Sequence, residues 1–206
     1  MASFSLARRA ALPGLGRKAT SGGSAGVFVS ERSNLALATV AARRNATGTL
    51  VRRVQDVFGF EPALEPRHVG GNGVGFVWSA PAQWLAVGDG ISGGAFVARL
   101  RTELSSLASV SDQTDGLVVI RLRGPDVRRL LAKGLPIDLH PRTFAPGHAA
   151  VTALGQVRLH IWQVDDQPSY DLAVPTSYIS YVWRWIVAAA AQFGLSAESD
   201  GSTLVV

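Results

Sequence analysis

From residue 27 onward the apolar residues fall into two alternating rhythms. Val27–Glu31 and Ala36–Ala42 have the short, dense apolar pattern of strands. Over Thr47–Phe58 the rhythm changes, and Leu50, Val51, Val54, Val57 and Phe58 share one helical stripe. A loop rich in Pro and Gly follows, through Pro62, Pro66, Gly70, Gly71 and Gly73. Val74–Trp78 and Trp84–Val87 flank the turn Ser79-Ala80-Pro81 and predict a hairpin. Ala95–Leu107 returns to helical spacing with Phe96, Leu100, Leu104 and Leu107, and Ser109–Gln113 is extended.

The rhythm then starts again. Leu117–Leu122 is rich in β-branched residues and predicts a strand. Gly124-Pro125-Asp126 opens a helix, since Pro suits a first helical position and Asp complements the positive helix end. That helix is expected to reach Lys133 and stop at Gly134. His148–Ala153 and Gln156–Val164 form a hairpin turning near Gly155, Ser169–Val174 is a further strand, and Ser177–Phe193 is a closing helix ended by Gly194. The expected fold class is α+β, built of two ferredoxin-like β-α-β-β-α units over 27–114 and 115–195 within one domain, 27–195. No sequence repeat accompanies the parallel in element order.

Composition sharpens this outline. Of 206 residues 47% are apolar and 17% charged, enough to bury a full core. There is no cysteine, which excludes disulfides, thiolate metal sites and a cysteine nucleophile, and is consistent with a reducing compartment. The net charge of +5 invites a polyanion reading, but Arg8, Arg9, Arg17 and Lys18 supply +4 of it from residues 1–26, which hold no acid. The body is left with 16 basic against 15 acidic residues, too balanced for a nucleic-acid stripe. The Arg pairs 43–44, 52–53 and 128–129 therefore read as solvated faces and salt bridges. Residues 1–26 are expected to be a disordered basic tail, with a transit-peptide-like composition as the alternative, and 196–206 a flexible end. No run approaches the ~18 apolar residues of a membrane span, so no membrane contact is expected and the location is read as cytoplasmic.

Several short patterns invite chemical readings. Gly88, Gly90 and Gly93 fit G-x-G-x-x-G, with Asp112 about 20 residues on, as in a dinucleotide-binding loop. The same stretch, Gly90-Ile91-Ser92-Gly93-Gly94, fits a nucleophile elbow, for which Asp138 with His148 or His160 would complete a triad. One loop that satisfies two unrelated patterns is read as a glycine-rich turn. The four histidines, His68, His140, His148 and His160, have no metal-ligand spacing. His140 lies in Pro136-Ile137-Asp138-Leu139-His140 and is read as bonded to local backbone. Catalytic, cofactor-binding and metal sites are accordingly expected to be absent from this chain.

The closing helix carries more information. Ile179, Val182, Trp183, Ile186 and Ala190 form a core-facing stripe, and Tyr178, Tyr181 and Trp185, with Ala188 and Ala189, form a second apolar face. Large aromatics left over on a small domain are typical interface anchors, the alternative being aromatics lying at a wet edge. The expected contact residues are Tyr178, Tyr181, Trp185 and, from the Pro136–His140 loop, Asp138 and His140.

Four segments together resemble the gamma subunit of heterotetrameric sarcosine oxidase. They are FVWSAPAQWLAV (76–87), SDQTDGLVVIRLRGPDVRRLLAKGLPIDLHP (111–141), FAPGHAAVTALGQVRLHIWQ (144–163) and YVWRWIVAAAAQFG (181–194), the second being the most specific. The resemblance covers roughly 27–195. It implies a domain similar to the folate-binding fold of aminomethyltransferases. It also implies a complex that demethylates sarcosine to glycine using O2 and tetrahydrofolate. FAD, FMN, NAD and tetrahydrofolate are then expected in the partner subunits, with none in this chain, and the partners would be alpha, beta and delta chains. This sequence departs at Pro175-Thr176-Ser177, where the family commonly has an arginine before the last helix. The alternatives are the matching subunit of an N-methylglutamate dehydrogenase or related secondary-amine demethylase, and a stand-alone folate-binding protein. The latter would draw its acid from Asp112, Asp115 or Asp138.

Overall fold

In the computed structural model, which describes residues 11–12, 18–19 and 25–199, the two rhythms become two stacked halves. After β1 (Lys18–Ala19) and β2 (Val27–Glu31), the first half runs β3 (Leu35–Ala42), α1 (Thr47–Phe58), β4 (His68–Gly71), β5 (Val74–Ala80), β6 (Gln83–Asp89), α2 (Gly93–Leu104) and β7 (Ala108–Asp112). The second runs β8 (Leu117–Arg123), α3 (Val127–Leu131), β9 (Ala149–Leu154), β10 (Val157–Asp165), β11 (Ser169–Pro175), a 3-10 turn (Thr176–Tyr178), α4 (Ile179–Ala190) and β12 (Leu195–Ser199).

The halves match element for element. The smaller sheet has the order β4-β5-β6-β3-β7, and the larger sheet has β9-β10-β11-β8-β2-β12-β1. The one difference in the shared core is β2, wedged between β8 and β12 where the first half pairs β3 directly with β7. β2 runs antiparallel to β8 and parallel to β12. β2 thus belongs to the sheet of the second unit, not the first as its position in the sequence implied. Residues 195–199, placed from 196 in a flexible end, form a strand instead. In the expected N-terminal tail, Leu12 is buried, and the Glu31 carboxylate accepts the N–H groups of Ala11 and Leu12 at 2.8 and 2.9 Å. The rest of 1–26 and 200–206 lies largely outside the described residues.

The layers run helix, sheet, sheet, helix, because most strands are apolar on both faces. Along β3, Ala36, Ala38 and Val40 face α1 and α2, while Leu35 and Leu37 face the other sheet. Between the sheets, Leu35, Leu37, Val77 and Leu85 meet Val119, Ala149, Trp162 and Ala173. On the far side, Leu130, Leu131, Val182 and Ile186 pack α3 and α4 onto the larger sheet. Each such buried side chain contributes about 1.5–3 kcal/mol.

Local chemistry explains where elements start and stop. α1 ends because Gly59 takes a left-handed conformation, φ 82°, and its N–H bonds back to Gln55. The helix expected from Ala95 begins at Gly93, with Ser92 as N-cap, and ends at Leu104. The Pro/Gly-rich loop contains the short strand β4, and the closing helix is preceded by a 3-10 turn.

Candidate interaction surface

α4 is set on the larger sheet by Ile179, Val182, Ile186 and Ala190, all buried. Trp183, expected on that stripe, is only partly buried. The opposite face carries Tyr178, Tyr181, Trp185 and Ala188 at spacings of three and four residues. Tyr178 is 51% and Tyr181 42% exposed, and Val187 beside them 41%. The Tyr181 hydroxyl comes against Gly155, the left-handed turn residue of the β9–β10 hairpin, where an added Cβ would overlap it. Trp185 is held within the domain: its indole lies over Gly134 and beside Leu154, so closely that Gly134 has no room for a Cβ. The face is therefore two exposed tyrosines beside a braced tryptophan, not three free aromatics.

Asp138 and His140 lie exposed on the loop after α3. The Asp138 carboxylate accepts the His140 N–H at 2.8 Å, and that bond, ahead of the Thr143 side chain, holds its pKa below the usual carboxylate value. His140 Nδ1 in turn accepts the Arg142 N–H at 3.2 Å. These two residues fold their own loop. No hydrogen bond or ring contact among the described residues joins them to the tyrosines. Thr176, in the turn before the closing helix, donates to the Asp115 carbonyl at 2.8 Å and steadies the entry to α4.

The glycine-rich loop has local explanations. β6 is antiparallel to both neighbours, so no parallel βαβ unit precedes the loop. A Cβ on Gly88 would press on the Phe96 ring and one on Gly93 on Thr114, so protein atoms fill the space a pyrophosphate would need. Ser92 accepts the Ala95 N–H as a helix cap. The Asp112 carboxylate is bonded to the Thr114 N–H, which keeps its pKa low. His148 packs edge-on against Phe144, and His160 pairs with Ser79, so the candidate triad is not assembled. Of the Arg pairs, Arg53 bonds Glu103, Arg129 bonds Asp126 at 2.6 Å, and Arg128 donates to the Tyr170 hydroxyl at 2.8 Å.

Two polar features between the sheets escape sequence reasoning. Ser79 Oγ on β5 and His160 Nε2 on β10 are 2.6 Å apart, and burial pushes His160 down to about 4, keeping the ring neutral. At the other end of the seam, Arg121 makes a bidentate pair with the buried Asp171, at 2.6 and 2.7 Å, across the β8–β11 register. Arg32 reaches the same carboxylate at 3.5 Å and also Asp89 at 2.6 Å. These groups and His68 line a cavity of about 220 Å³. The available signal was weak: one Arg and one Asp at inward positions of otherwise apolar strands.

Comparisons with known proteins agree with the fold. Residues 44–192 match the model of the sarcosine oxidase, gamma subunit family. A sarcosine oxidase subunit gamma from an Arthrobacter species is 29% identical over 124 residues, 59% of this chain and 59% of that protein. One from Corynebacterium sp. strain P-1 is also 29% identical, over 72% of this chain and 77% of its own length. Among solved structures, the heterotetrameric sarcosine oxidase from Corynebacterium sp. U-96 includes a chain that superposes with a TM-score of 0.72 at 23% identity. That match covers 83% of this chain and 87% of the other. Aminomethyltransferase T of the glycine cleavage system from Bartonella henselae superposes with a TM-score of 0.61 at 14% identity, over 84% of this chain and 48% of the other.

Proposed function

This chain belongs to the sarcosine oxidase gamma subunit family, and we propose that it serves a heterotetrameric oxidase as a subunit without catalytic residues of its own. The single observation that carries this is the α4 face, where Tyr178 and Tyr181 stand exposed on a helix whose other side is fully packed. Rigid, half-apolar tyrosines on a braced platform gain most when a partner removes them from water. The candidate chemical groups support the same reading, since Ser92, Asp112, Asp138 and His160 are each engaged in local structure.

In this reading the alpha, beta and delta subunits are the partners. They hold FAD, FMN, NAD and tetrahydrofolate, and the complex converts sarcosine to glycine with O2, in the cytoplasm. Among the described residues no helix is long and apolar enough to cross a membrane. Affinity capture of a tagged full-length chain from its own cells tests the assignment. Co-purification of larger chains with a flavin absorbance spectrum and sarcosine-dependent peroxide supports it. Recovery of the chain alone overturns it. The same preparation separates the second reading, since oxidation of N-methylglutamate in place of sarcosine would assign the complex to that substrate. The fold likeness to aminomethyltransferase T keeps a stand-alone folate-binding protein in view. Tight tetrahydrofolate binding by the isolated chain would favour it.

A further inference from the structure

The cavity between the two sheets has a divided lining. One wall is apolar, formed by Leu35, Val87, Val164 and Trp162. The other presents the guanidinium groups of Arg32 and Arg121 beside Asp171, with the His68 ring close to Trp162 at 5.9 Å between centroids. Among the described residues, Asp89 and Asp171 meet these arginines in different ways. Asp171 is 4% exposed and held by both arginines. Asp89 stands at the rim, 53% exposed, and meets Arg32 through one oxygen at 2.6 Å. An ion pair with so exposed a partner is worth little, and Asp89 can turn to water at small cost. Arg32, by contrast, is 14% exposed and is fixed from behind by Asp171. A guanidinium so placed prefers to keep a carboxylate in front of it.

We propose that this cavity is a binding site for a small monocarboxylate with a compact aliphatic body. The ligand's carboxylate takes the place of Asp89 on Arg32, and its hydrocarbon part lies against the valines and Trp162. About 220 Å³ limits the ligand to the size of a six-membered ring with one carboxylate, below the range of drug-sized pockets. Asp89 acts as an internal stand-in that competes for the same guanidinium. The site is independent of the α4 face, which lies on the outer side of the larger sheet, and of which partners that face engages.

The experiment is a calorimetric and NMR titration of the purified full-length chain with cyclohexanecarboxylate. Cyclohexylmethylammonium, of equal size and opposite charge, and inorganic phosphate serve as comparison probes. The carboxylate is expected to bind, with shifts confined to the β4–β5 hairpin, β10 and Arg32, and the ammonium is not. Asp89→Asn is expected to tighten binding about two- to fivefold by removing the competitor. Arg32→Gln is expected to abolish it while circular dichroism stays unchanged. Equal binding of the two charged probes, binding of phosphate alone, or an unchanged affinity in Asp89→Asn overturns the proposal. The Asp89 variant keeps the test decisive if Arg32→Gln unfolds.

Discussion

α1 and α4 are both twelve-residue helices, each covering the outer face of a sheet, and their inner sides are alike. α1 buries Leu50, Val54 and Phe58, and α4 buries Ile179, Val182, Ile186 and Ala190. Their outer sides differ completely. α1 shows Arg52, Arg53, Gln55 and Asp56 to water, whereas α4 shows Tyr181, Val187 and Ala188, with Tyr178 at its N-cap and Arg184 as its one charge. A helix needs one apolar stripe to fold. On the second stripe of α4 only Trp185 is packed into the domain, and the exposed rings of Tyr178 and Tyr181 go beyond what folding needs, so the contrast separates what folding requires from what assembly requires.

The sharpest way to break that contrast is to test the inner faces first. Leu50→Ala and Ile186→Ala should each cost about 2–5 kcal/mol in urea unfolding, in line with other buried large-to-small changes. A large inequality between them would mean that one helix is not a core element. The link between the halves comes next. His160 is neutral in the fold with its pKa near 4, while the unfolded ring takes its proton near 6.5. Stability is therefore full above pH 6.5, falls as pH drops through the window from 6.5 to about 4, and loses nothing further from this group below that. The loss from this group should be about 3 kcal/mol and disappear in His160→Gln, which leaves only the part from His68, whose pKa is also lowered chiefly by burial. On the outer faces, Tyr181→Ser and Tyr178→Ser should each weaken association with partner chains by about 2 kcal/mol while leaving the melting temperature of the free chain nearly unchanged. Arg52→Ser on α1 should move neither quantity by more than about 0.5 kcal/mol. If it weakened assembly as the tyrosine changes do, the distinction between the two outer faces would fail.

Much of this was legible in the residues because it is local. α1 could be bounded at Thr47 and Phe58 from spacing, and the two exposed tyrosines stood out as part of a second stripe on a helix already supplied with a core side. What was not legible depends on partners distant in sequence. β2 crosses to the other unit's sheet because its neighbours are β8 and β12, which local pattern does not reveal. The bracing of Trp185 by Gly134 turns an expected free anchor into a platform. Ser79 and His160, or Arg121 and Asp171, look like ordinary strand residues until the register brings them together.

The wedged strand also sets a timetable. β2 leaves the ribosome well before its partners, Leu117–Arg123 and Leu195–Ser199, which follow it in the chain by about 90 and 165 residues. At the ordinary pace of translation that leaves a bare apolar strand waiting for seconds, while the β3–β7 half can close behind it without help. β12, which follows both β2 and β8 in the chain, then completes the larger sheet beside β2. Trimming the chain before Leu195 should leave the smaller half able to form and strand the larger one with an open seam.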